Sequence, residues 1–305
     1  MWDPLAVDRP APLTALAAVH SKGYLEMLAA AIPGPLDGDT YLHAQTFVHA
    51  KLAAGGALET LARARVDRPA IGLLRPPGHH ARPREAMGFC YLNNVAIAAA
   101  AARTKGRRVA IVDLDLHHGN GTQEIFYEDP SVLFLSTHEE GNYPGTGAIE
   151  EIGAGAGEGT TLNVPLPSGS GDGTFGAAMQ QVILPALETF CPTTVLISLG
   201  TDAHARDPLG RLELSSRGLV SLVAAIAELC QRRLEAPLVV LLEGGYDLQA
   251  GADCIGGIVG TLAGEAVPLR FATPTDPQMV GARWVAAARA RLPQHQKTLL
   301  SHPGA

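Results

Sequence analysis

Hydrophobic positions along this chain form short uninterrupted runs, separated by longer segments in which small and apolar residues recur at helical spacing. A short apolar run bounded by Gly, Pro or polar residues is typical of a strand that is buried on both faces of a parallel sheet. The pattern predicts six such strands: Pro69–Leu74, Arg107–Asp115, Val132–Thr137, Thr161–Pro165, Thr193–Leu199 and Leu238–Leu242.

Helical patterns fill most of the remaining chain. For the first of them, Thr14 is a suitable N-cap and Pro33-Gly34 a suitable stop. The predicted helices are Thr14–Ala31, Gln45–Val66, an Ala-rich segment ending at about Thr104, a helix from Gly119–Thr122 through about Tyr127, Thr174–Phe190 with a break at Pro185, and Leu214–Leu234. Beyond the last strand we expect helix and loop to about Leu292 and a frayed tail over His295–Ala305.

Alternation of strands and helices predicts an α/β fold. A chain of 305 residues is an ordinary size for one such domain. We therefore expect a single domain over residues 1–305, with a mainly parallel β-sheet that is flanked by helices on both faces.

Composition indicates the cellular compartment of the protein and the kinds of partner that it can bind. The 23 Lys and Arg residues against 30 Asp and Glu residues give a formal charge of −7, which argues against an extended nucleic-acid surface. The four cysteines form no C-x-x-C pair and are typical of reduced, buried residues in a cytoplasmic protein. We see neither a signal-peptide pattern nor an apolar stretch that spans a bilayer, so we expect a cytoplasmic protein without a membrane partner.

The polar residues that change this picture lie in Ile111–Thr122, which reads I-V-D-L-D-L-H-H-G-N-G-T. At strand spacing Asp113, Asp115 and His117 point to one side. An Asp and a His two residues apart supply one oxygen and one nitrogen, a donor set that suits zinc. A buried strand whose carboxylates are satisfied by backbone donors would explain one isolated D-x-H equally well. Similar polar clusters after other strands favour the metal.

Three further strands end in polar groups at the same edge of the predicted sheet. They deliver the pair His79-His80, then Asp202 where a third metal ligand would stand, and finally Tyr246 after two glycines. Taken alone, the two histidines fit a solvated loop as well as a proton-transfer pair. Together the groups make a set for metal-assisted hydrolysis, with a histidine to take the proton and a tyrosine hydroxyl to stabilise the oxyanion.

Six motifs then occur in a recognisable order: R-P-P-G-H-H, G-F-C-Y-L-N-N, D-L-D-L-H-H-G-N-G-T, P-G-T-G, L-G-T-D and E-G-G-Y. In these motifs the chain resembles the zinc-dependent histone deacetylase and acetylpolyamine amidohydrolase family, which has the arginase/deacetylase fold. The resemblance extends over about residues 20–260, and Asn120 makes it similar to the class II branch.

The resemblance implies roles for individual residues. It implies that Asp115, His117 and Asp202 are the zinc ligands and that His79, His80 and Tyr246 are catalytic. His80 would be the general base and His79 its electrostatic partner, with Asp113 in contact with His79 and Asn120 holding His80. The resemblance also implies a substrate channel formed by Gly88, Phe89, Tyr143 and Leu209. It further implies a structural potassium site, whose ligands come partly from backbone oxygens of Asp113, Asp115, His117, Ser136 and Thr137.

Two departures from the family pattern affect the entrance. Only about a dozen residues precede the first helix, without the family's H-P-E-x-P-x-R segment, so we expect an exposed sheet edge. That edge predicts either self-association as a homo-oligomer or a wide entrance. The leader Met1–Pro12, with Trp2, Leu5 and Val7, is long enough to cover part of this sheet edge. The alternative is a monomer with a narrow tunnel. Second, Leu209 stands where polyamine-selective relatives can have an acidic residue.

The expected function is zinc-dependent removal of acetyl or other acyl groups from an acylated amine, with acyl-lysine as the leading substrate. An acetylpolyamine or other small amide remains an alternative, as does a non-catalytic acyl-lysine-binding protein. The stretch D-A-H-A-R-D, Asp202–Asp207, resembles a motif of dimanganese ureohydrolases. Because His118 and Gly119 stand where a two-metal site needs carboxylates, we expect His204 not to be a ligand.

Overall fold

The computed structural model describes residue 4 and residues 6–103 and 107–292. The predicted helix end at Thr104, the tail His295–Ala305, and Trp2 and Leu5 of the leader lie outside the described residues.

Six parallel strands form the central sheet, and all six match predicted strands. A short antiparallel pair, β1 (Gly34–Pro35) with β2 (Tyr41–Leu42), precedes them and was not predicted. The strands of the sheet are β3 (Ala70–Gly72), β4 (Val109–Asp113), β5 (Val132–Glu139), β6 (Thr161–Leu166), β7 (Thr194–Leu199) and β8 (Leu238–Leu242). Their order across the sheet is β3-β8-β7-β4-β5-β6, so the strand that carries Asp113 lies in the middle.

Helices cover both faces of this sheet, as predicted. They are α1 (Leu13–Leu16), α2 (Lys22–Ala30), α3 (Thr46–Arg63), α4 (Asn94–Arg103), α5 (Asn120–Phe126), α6 (Asp172–Ala178), α7 (Leu184–Phe190), α8 (Ser216–Leu229), α9 (Leu248–Leu262) and α10 (Ala282–Arg289). None of the helices in the described part of the chain is long and apolar enough to cross a membrane.

Alternating residues of the strands enter two separate cores. In β4, Ala110 and Val112 pack with α6–α10, whereas Val109 and Ile111 pack with α1–α5. This period of two follows from the pleat of a strand, and burial on both faces explains why the strands are continuous apolar runs.

Three element boundaries differ from the sequence prediction. The segment Thr14–Ala31 forms two helices, because Ser21 caps α2 by accepting a hydrogen bond from Tyr24 N at 3.3 Å. Thr174–Phe190 stays helical through Pro185, and a π-helical turn at Met179–Ile183 accommodates the proline that lacks an N–H.

The third difference concerns β4, which ends at Asp113 rather than at Asp115. Oδ1 of Asp113 accepts a hydrogen bond from Asp115 N at 3.1 Å, and Oδ1 of Asp115 accepts one from His117 N at 2.8 Å. These carboxylates occupy backbone donors that would otherwise continue the strand, so the chain bends directly after Asp113.

Candidate active site

A buried cluster at the carboxyl end of the sheet combines Asp115, His117 and Asp202. The ligand atoms of the three side chains lie within 4.8 Å of one another, and Nδ1 of His117 is 3.2 Å from Asp115 Oδ1 and 3.4 Å from Asp202 Oδ2. Within the described residues this is the one group of three or more His, Cys, Asp or Glu side chains arranged to hold a metal ion.

Backbone donors orient the two carboxylates of this cluster. Asp202 Oδ1 accepts a hydrogen bond from Leu116 N at 3.1 Å, and Asp115 Oδ2 accepts one from Gly244 N at 2.9 Å. A Cβ built on Gly244 would overlap Asp202 Oδ2, so only glycine allows this approach. Strands β4, β7 and β8 therefore meet at the cluster.

The cluster fits a divalent cation. Asp202 Oδ2 is buried and accepts no hydrogen bond, although buried polar atoms are normally paired. Burial and the nearby charge of Asp115 raise the pKa of Asp202 to about 6. Burial alone would lower the pKa of His117, but the neighbouring carboxylates of Asp115 and Asp202 raise it to about 10. Two buried carboxylates around one imidazole form an oxygen and nitrogen donor set that a metal ion satisfies.

His79 and His80 stand beside this cluster with different partners. His79 Nδ1 donates to Asp113 Oδ2 at 3.0 Å, and its Nε2 is 3.8 Å from Asp115 Oδ1. Burial alone would lower the pKa of His79, but the charges of Asp115 and Asp113 hold that pKa well above its ordinary value.

The centroid of the His80 ring lies 4.0 Å from that of His79, with the two planes tilted by 43°, and 5.8 Å from that of His117. Its Nδ1 donates to Asn120 Oδ1 at 2.8 Å. Burial and the adjacent positive charge of His79 hold the pKa of His80 well below its ordinary value. His80 is therefore neutral at neutral pH, with Nε2 as its proton acceptor.

Glu243 positions the loop that carries the two histidines, and sequence reasoning gave it no role. Its Oε2 accepts hydrogen bonds from Gly78 N at 2.6 Å and from His79 N at 3.1 Å, and Ser198 Oγ donates to Oε1 at 3.1 Å. Burial raises the pKa of Glu243 to about 7. The sequence offered only the motif E-G-G-Y as a signal, because the partners of Glu243 in the histidine loop, Gly78 and His79, lie about 165 residues away along the chain.

Tyr246 follows Gly244-Gly245 at the end of β8, half-buried near the cluster. Its backbone N–H donates to Asp207 Oδ2 at 2.7 Å, another contact that the sequence did not reveal. Burial and the charges of Asp115 and Asp202 raise the pKa of the Tyr246 hydroxyl, so the hydroxyl keeps its proton at neutral pH.

Three of the predicted channel residues, Gly88, Phe89 and Tyr143, lie against His80 or Tyr246. The Phe89 ring, 39% exposed, lies 6.1 Å from the Tyr246 ring, and the Tyr143 ring lies 5.1 Å from the His80 ring. Gly88 packs against both His80 and Tyr143. Leu209 is 45% exposed on the loop after Asp207. Each aromatic ring thus contacts a different predicted catalytic residue.

The loop that carries Tyr143 is anchored by residues outside the predicted set. His118 Nδ1 and Thr146 Oγ1 are 2.7 Å apart, and His138 Nε2 donates to the Gly147 carbonyl at 3.1 Å. Buried Glu139 accepts from Asn142 Nδ2 at 2.8 Å and from Arg211 N at 3.1 Å. This carboxylate therefore joins the Tyr143 loop to the loop of Leu209.

His204 of the ureohydrolase-like stretch lies apart from the three-residue cluster. Its Nδ1 accepts a hydrogen bond from Arg206 N at 3.1 Å, and its ring packs 5.7 Å from the Phe271 ring. His204 shapes the loop after Asp202, which agrees with the expectation that it is not a ligand.

Comparison with known proteins identifies the family. The histone deacetylase domain matches residues 3–262. Rice histone deacetylase 10, chloroplastic, is 41% identical over 290 residues, which cover 89% of this chain and 65% of the relative. A probable deacetylase of Archaeoglobus fulgidus is 41% identical (83% of this chain, 72% of the relative). A histone deacetylase-like amidohydrolase of Pseudomonas aeruginosa is 42% identical (78% and 64%).

Comparison of the fold with solved structures identifies the same family. The crystal structure of the HDA15 HD domain superposes with a TM-score of 0.85 and 34% sequence identity, over 96% of this chain and 83% of that chain. The chain spans about two thirds of the length of these three relatives. On profile, sequence and structure together, the chain belongs to the histone deacetylase domain family.

Proposed function

We propose that this chain is a zinc-dependent amidohydrolase that removes acetyl or other acyl groups from an acylated amine. The observation that carries the proposal is the convergence of a buried Asp-His-Asp cluster with a neutral histidine and a protonated tyrosine. Three protein ligands that leave a position open are the arrangement of catalytic rather than structural zinc sites.

Asp115, His117 and Asp202 would hold the metal, one ion per chain. Zinc held there would supply Lewis-acid chemistry, which would polarise the amide carbonyl and lower the pKa of a bound water. The unpaired Asp202 Oδ2 supports this assignment, because it would otherwise remain a buried acceptor without a partner.

His80 would serve as the general base and then as the general acid. Its Nδ1–H is held by Asn120, so Nε2 is free to take a proton and later to return it to the leaving amine. His79, paired with Asp113, would keep its positive charge beside His80 and thereby keep His80 neutral between turnovers.

Tyr246 would donate its hydroxyl proton in a hydrogen bond to the oxyanion of the tetrahedral intermediate. Of the two glycines before it, Gly244 packs against the ligand carboxylates of Asp115 and Asp202 and Gly245 packs against Thr201, so the tyrosine follows the cluster at close range. A donor whose pKa is raised keeps the proton that this hydrogen bond requires.

Acyl-lysine is the substrate we favour. Phe89 and Tyr143 would flank the extended alkyl chain of lysine as apolar walls, and Gly88 would leave room between them. Leu209 itself offers no counter-charge for a second ammonium group, although Asp39 Oδ1 accepts a hydrogen bond from Gly88 N at 3.2 Å and so places one carboxylate beside the channel residues. Acetylpolyamine and other small amides remain the second candidate within the same chemistry.

A structural potassium ion beneath the zinc site is a further proposal, with Asp113, Asp115, His117, Ser136 and Thr137 around it. Asp113 Oδ2 already binds His79, and Ser136 Oγ lies 2.9 Å from His138 Nδ1. Backbone carbonyl oxygens would therefore supply most of the coordination. Cytoplasmic localisation and self-association likewise stay predictions.

The test is a metal analysis of the purified protein combined with deacylation of a panel of acylated lysine peptides, acetylputrescine and acetylspermidine. We expect about one zinc per chain and the highest kcat/KM on acyl-lysine. A zinc-loaded protein that binds acyl-lysine peptides without hydrolysing any amide would favour a binding protein instead. Higher efficiency on the acetylpolyamines would transfer the assignment to the second candidate.

A further inference from the structure

A buried carboxylate outside the proposed catalytic set holds the backbone of Tyr246. Asp207 is 6% exposed, and its Oδ2 accepts hydrogen bonds from Tyr246 N at 2.7 Å and from Asp247 N at 3.3 Å. Hydrogen bonds in which the acceptor is ionised are stronger than neutral ones. The peptide groups on both sides of the Tyr246 Cα are thus hydrogen-bonded to the same oxygen atom, Asp207 Oδ2.

The other oxygen of the same carboxylate reaches the channel rim. Asp207 Oδ1 accepts a hydrogen bond from Leu209 N at 3.0 Å, and Asp207 N donates to the His204 carbonyl at 2.9 Å. Three backbone N–H groups therefore satisfy the carboxylate, and they link Tyr246 to Leu209 through one side chain.

Arg206 reinforces this arrangement from the outer side. Its Nη2 lies 3.2 Å from Asp247 Oδ2, and its guanidinium stands 4.7 Å from the centre of the Phe271 ring. Asp247 Oδ1 in turn caps α9 by accepting from Gln249 N and Ala250 N. The residue after Tyr246 is therefore fixed by both the loop and the helix.

The chain before Tyr246 has little intrinsic stiffness. Gly244 N is held by Asp115 Oδ2 at 2.9 Å, but Gly245, directly before Tyr246, has φ +137°, a conformation that other residues rarely adopt, and no Cβ to restrict it. A tyrosine that follows two glycines needs an external anchor if its hydroxyl is to occupy one place. Asp207 meets that need in the described structure.

We propose that Asp207 is a positioning residue that fixes Tyr246 for oxyanion stabilisation and, through Leu209, sets the adjoining rim of the channel. This inference rests on the proposed function. It assigns Asp207 an effect that acts through Tyr246 and so enters mainly at the transition state. If Asp207 had a purely structural role, its replacement would lower the stability of the fold without a specific effect on the transition state.

The variant Asp207→Asn removes the charge and leaves one oxygen for three donors. We expect kcat on an acetyl-lysine amide to fall about 10- to 100-fold while KM changes less than about threefold. The matched control is Asp276→Asn, since Asp276 Oδ2 also accepts two backbone hydrogen bonds, from Gly171 N and Thr174 N, both at 3.2 Å, and contacts neither Asp207 nor Tyr246 in the described structure. The control should retain the wild-type kcat.

A double-mutant cycle separates positioning from general damage. In a Tyr246→Phe background the hydroxyl is already lost, so Asp207→Asn should lower kcat by less than about twofold further. An equal loss in both backgrounds would overturn the proposal.

A second readout does not depend on activity. In protein labelled with 3-fluorotyrosine, the fluorine resonance that disappears in Tyr246→Phe belongs to Tyr246. Asp207→Asn should shift or broaden that resonance and Asp276→Asn should not. An unchanged resonance in Asp207→Asn refutes the positioning role. If wild-type protein hydrolyses no amide, the proposed function fails, and the fluorine spectra still decide whether Asp207 holds Tyr246.

Should Asp207→Asn fail to fold, Asp207→Glu takes its place, because it keeps the charge on a side chain one methylene longer. The same displacement of the Tyr246 resonance is expected, and its absence contradicts the proposal in the same way.

Discussion

Gly88 packs directly against the imidazole of His80. A Cβ built on Gly88 would overlap Cδ2 of His80 and lie 2.9 Å from its Cγ, and it would also lie 2.9 Å from Cε1 of Tyr143. The backbone of Gly88 has φ +56°, in the left-handed region. Both the space and the conformation therefore require glycine between these two rings.

Replacing Gly88 by Ala should displace His80 and lower kcat, by about 100-fold if the ring moves by about 1 Å. The control is Gly264→Ala, because Gly264 has φ +75° and open space around its Cβ position. Gly264→Ala should cost about 1–2 kcal/mol of stability without loss of activity. Steady-state kinetics of both variants measure kcat, and thermal unfolding measures their stability. Wild-type turnover in Gly88→Ala would contradict the placement of His80.

Tyr246→Phe should preserve the fold and the bound metal while lowering kcat by about 10²–10³, the usual cost of one lost oxyanion donor. Tyr127→Phe, on the chain after α5 and away from the cluster, serves as the control and should behave like wild type. A Tyr246→Phe variant whose kcat stays within about twofold of wild type would exclude this hydroxyl from the mechanism.

Leu209→Glu should shift the substrate preference towards acetylated polyamines. A carboxylate on the exposed rim attracts a second ammonium group by about 1 kcal/mol, which corresponds to a gain of about fivefold in kcat/KM. Leu209→Gln keeps the size and polarity without the charge and should not produce the gain. Equal effects of Glu and Gln would show that charge at this position does not select the substrate.

His20 makes stability depend on pH. The side chain is buried, its Nδ1 donates to the Arg82 carbonyl at 3.0 Å, and its Nε2 accepts from Asn93 N at 2.9 Å. Burial lowers the pKa of His20 from 6.5 to about 4. Between those values the unfolded chain binds a proton that the folded protein excludes, so the free energy of unfolding falls as pH falls and levels off below about pH 4.

The full effect of this one group is about 3 kcal/mol between pH 7 and pH 4. Urea denaturation at several pH values should show a component of this size in wild type that is missing in His20→Gln. His49→Gln, at an exposed position on α3, should keep the wild-type dependence. The same dependence in wild type and His20→Gln would remove His20 as its source.

The sheet and the metal cluster could be predicted because local patterns encode them. Buried strands are apolar on both faces, and residues that follow parallel strands meet at one edge, so Asp115 and Asp202 could be placed together without knowledge of the connections. The break at Ser21 was missed, because a side-chain cap competed with a helical pattern that continued through it.

The roles of Glu243 and Asp207 could not be predicted from the sequence, and the reason is different from that at Ser21. Glu243 and Asp207 act through hydrogen bonds to backbone N–H groups, and any residue can offer such a donor, so the partner leaves no trace in the sequence. Only the folded geometry shows that these two carboxylates accept hydrogen bonds from the histidine loop and from Tyr246 N.

The most direct test of the central claim is a zinc titration of metal-free protein, with hydrolysis of an acetyl-lysine amide as the signal. The rate should rise in proportion to added zinc and level off at about one zinc per chain, and Asp202→Ala, left with two ligands, should neither hold the metal firmly nor recover activity. Full activity without zinc, or full zinc content and activity in Asp202→Ala, would contradict the account.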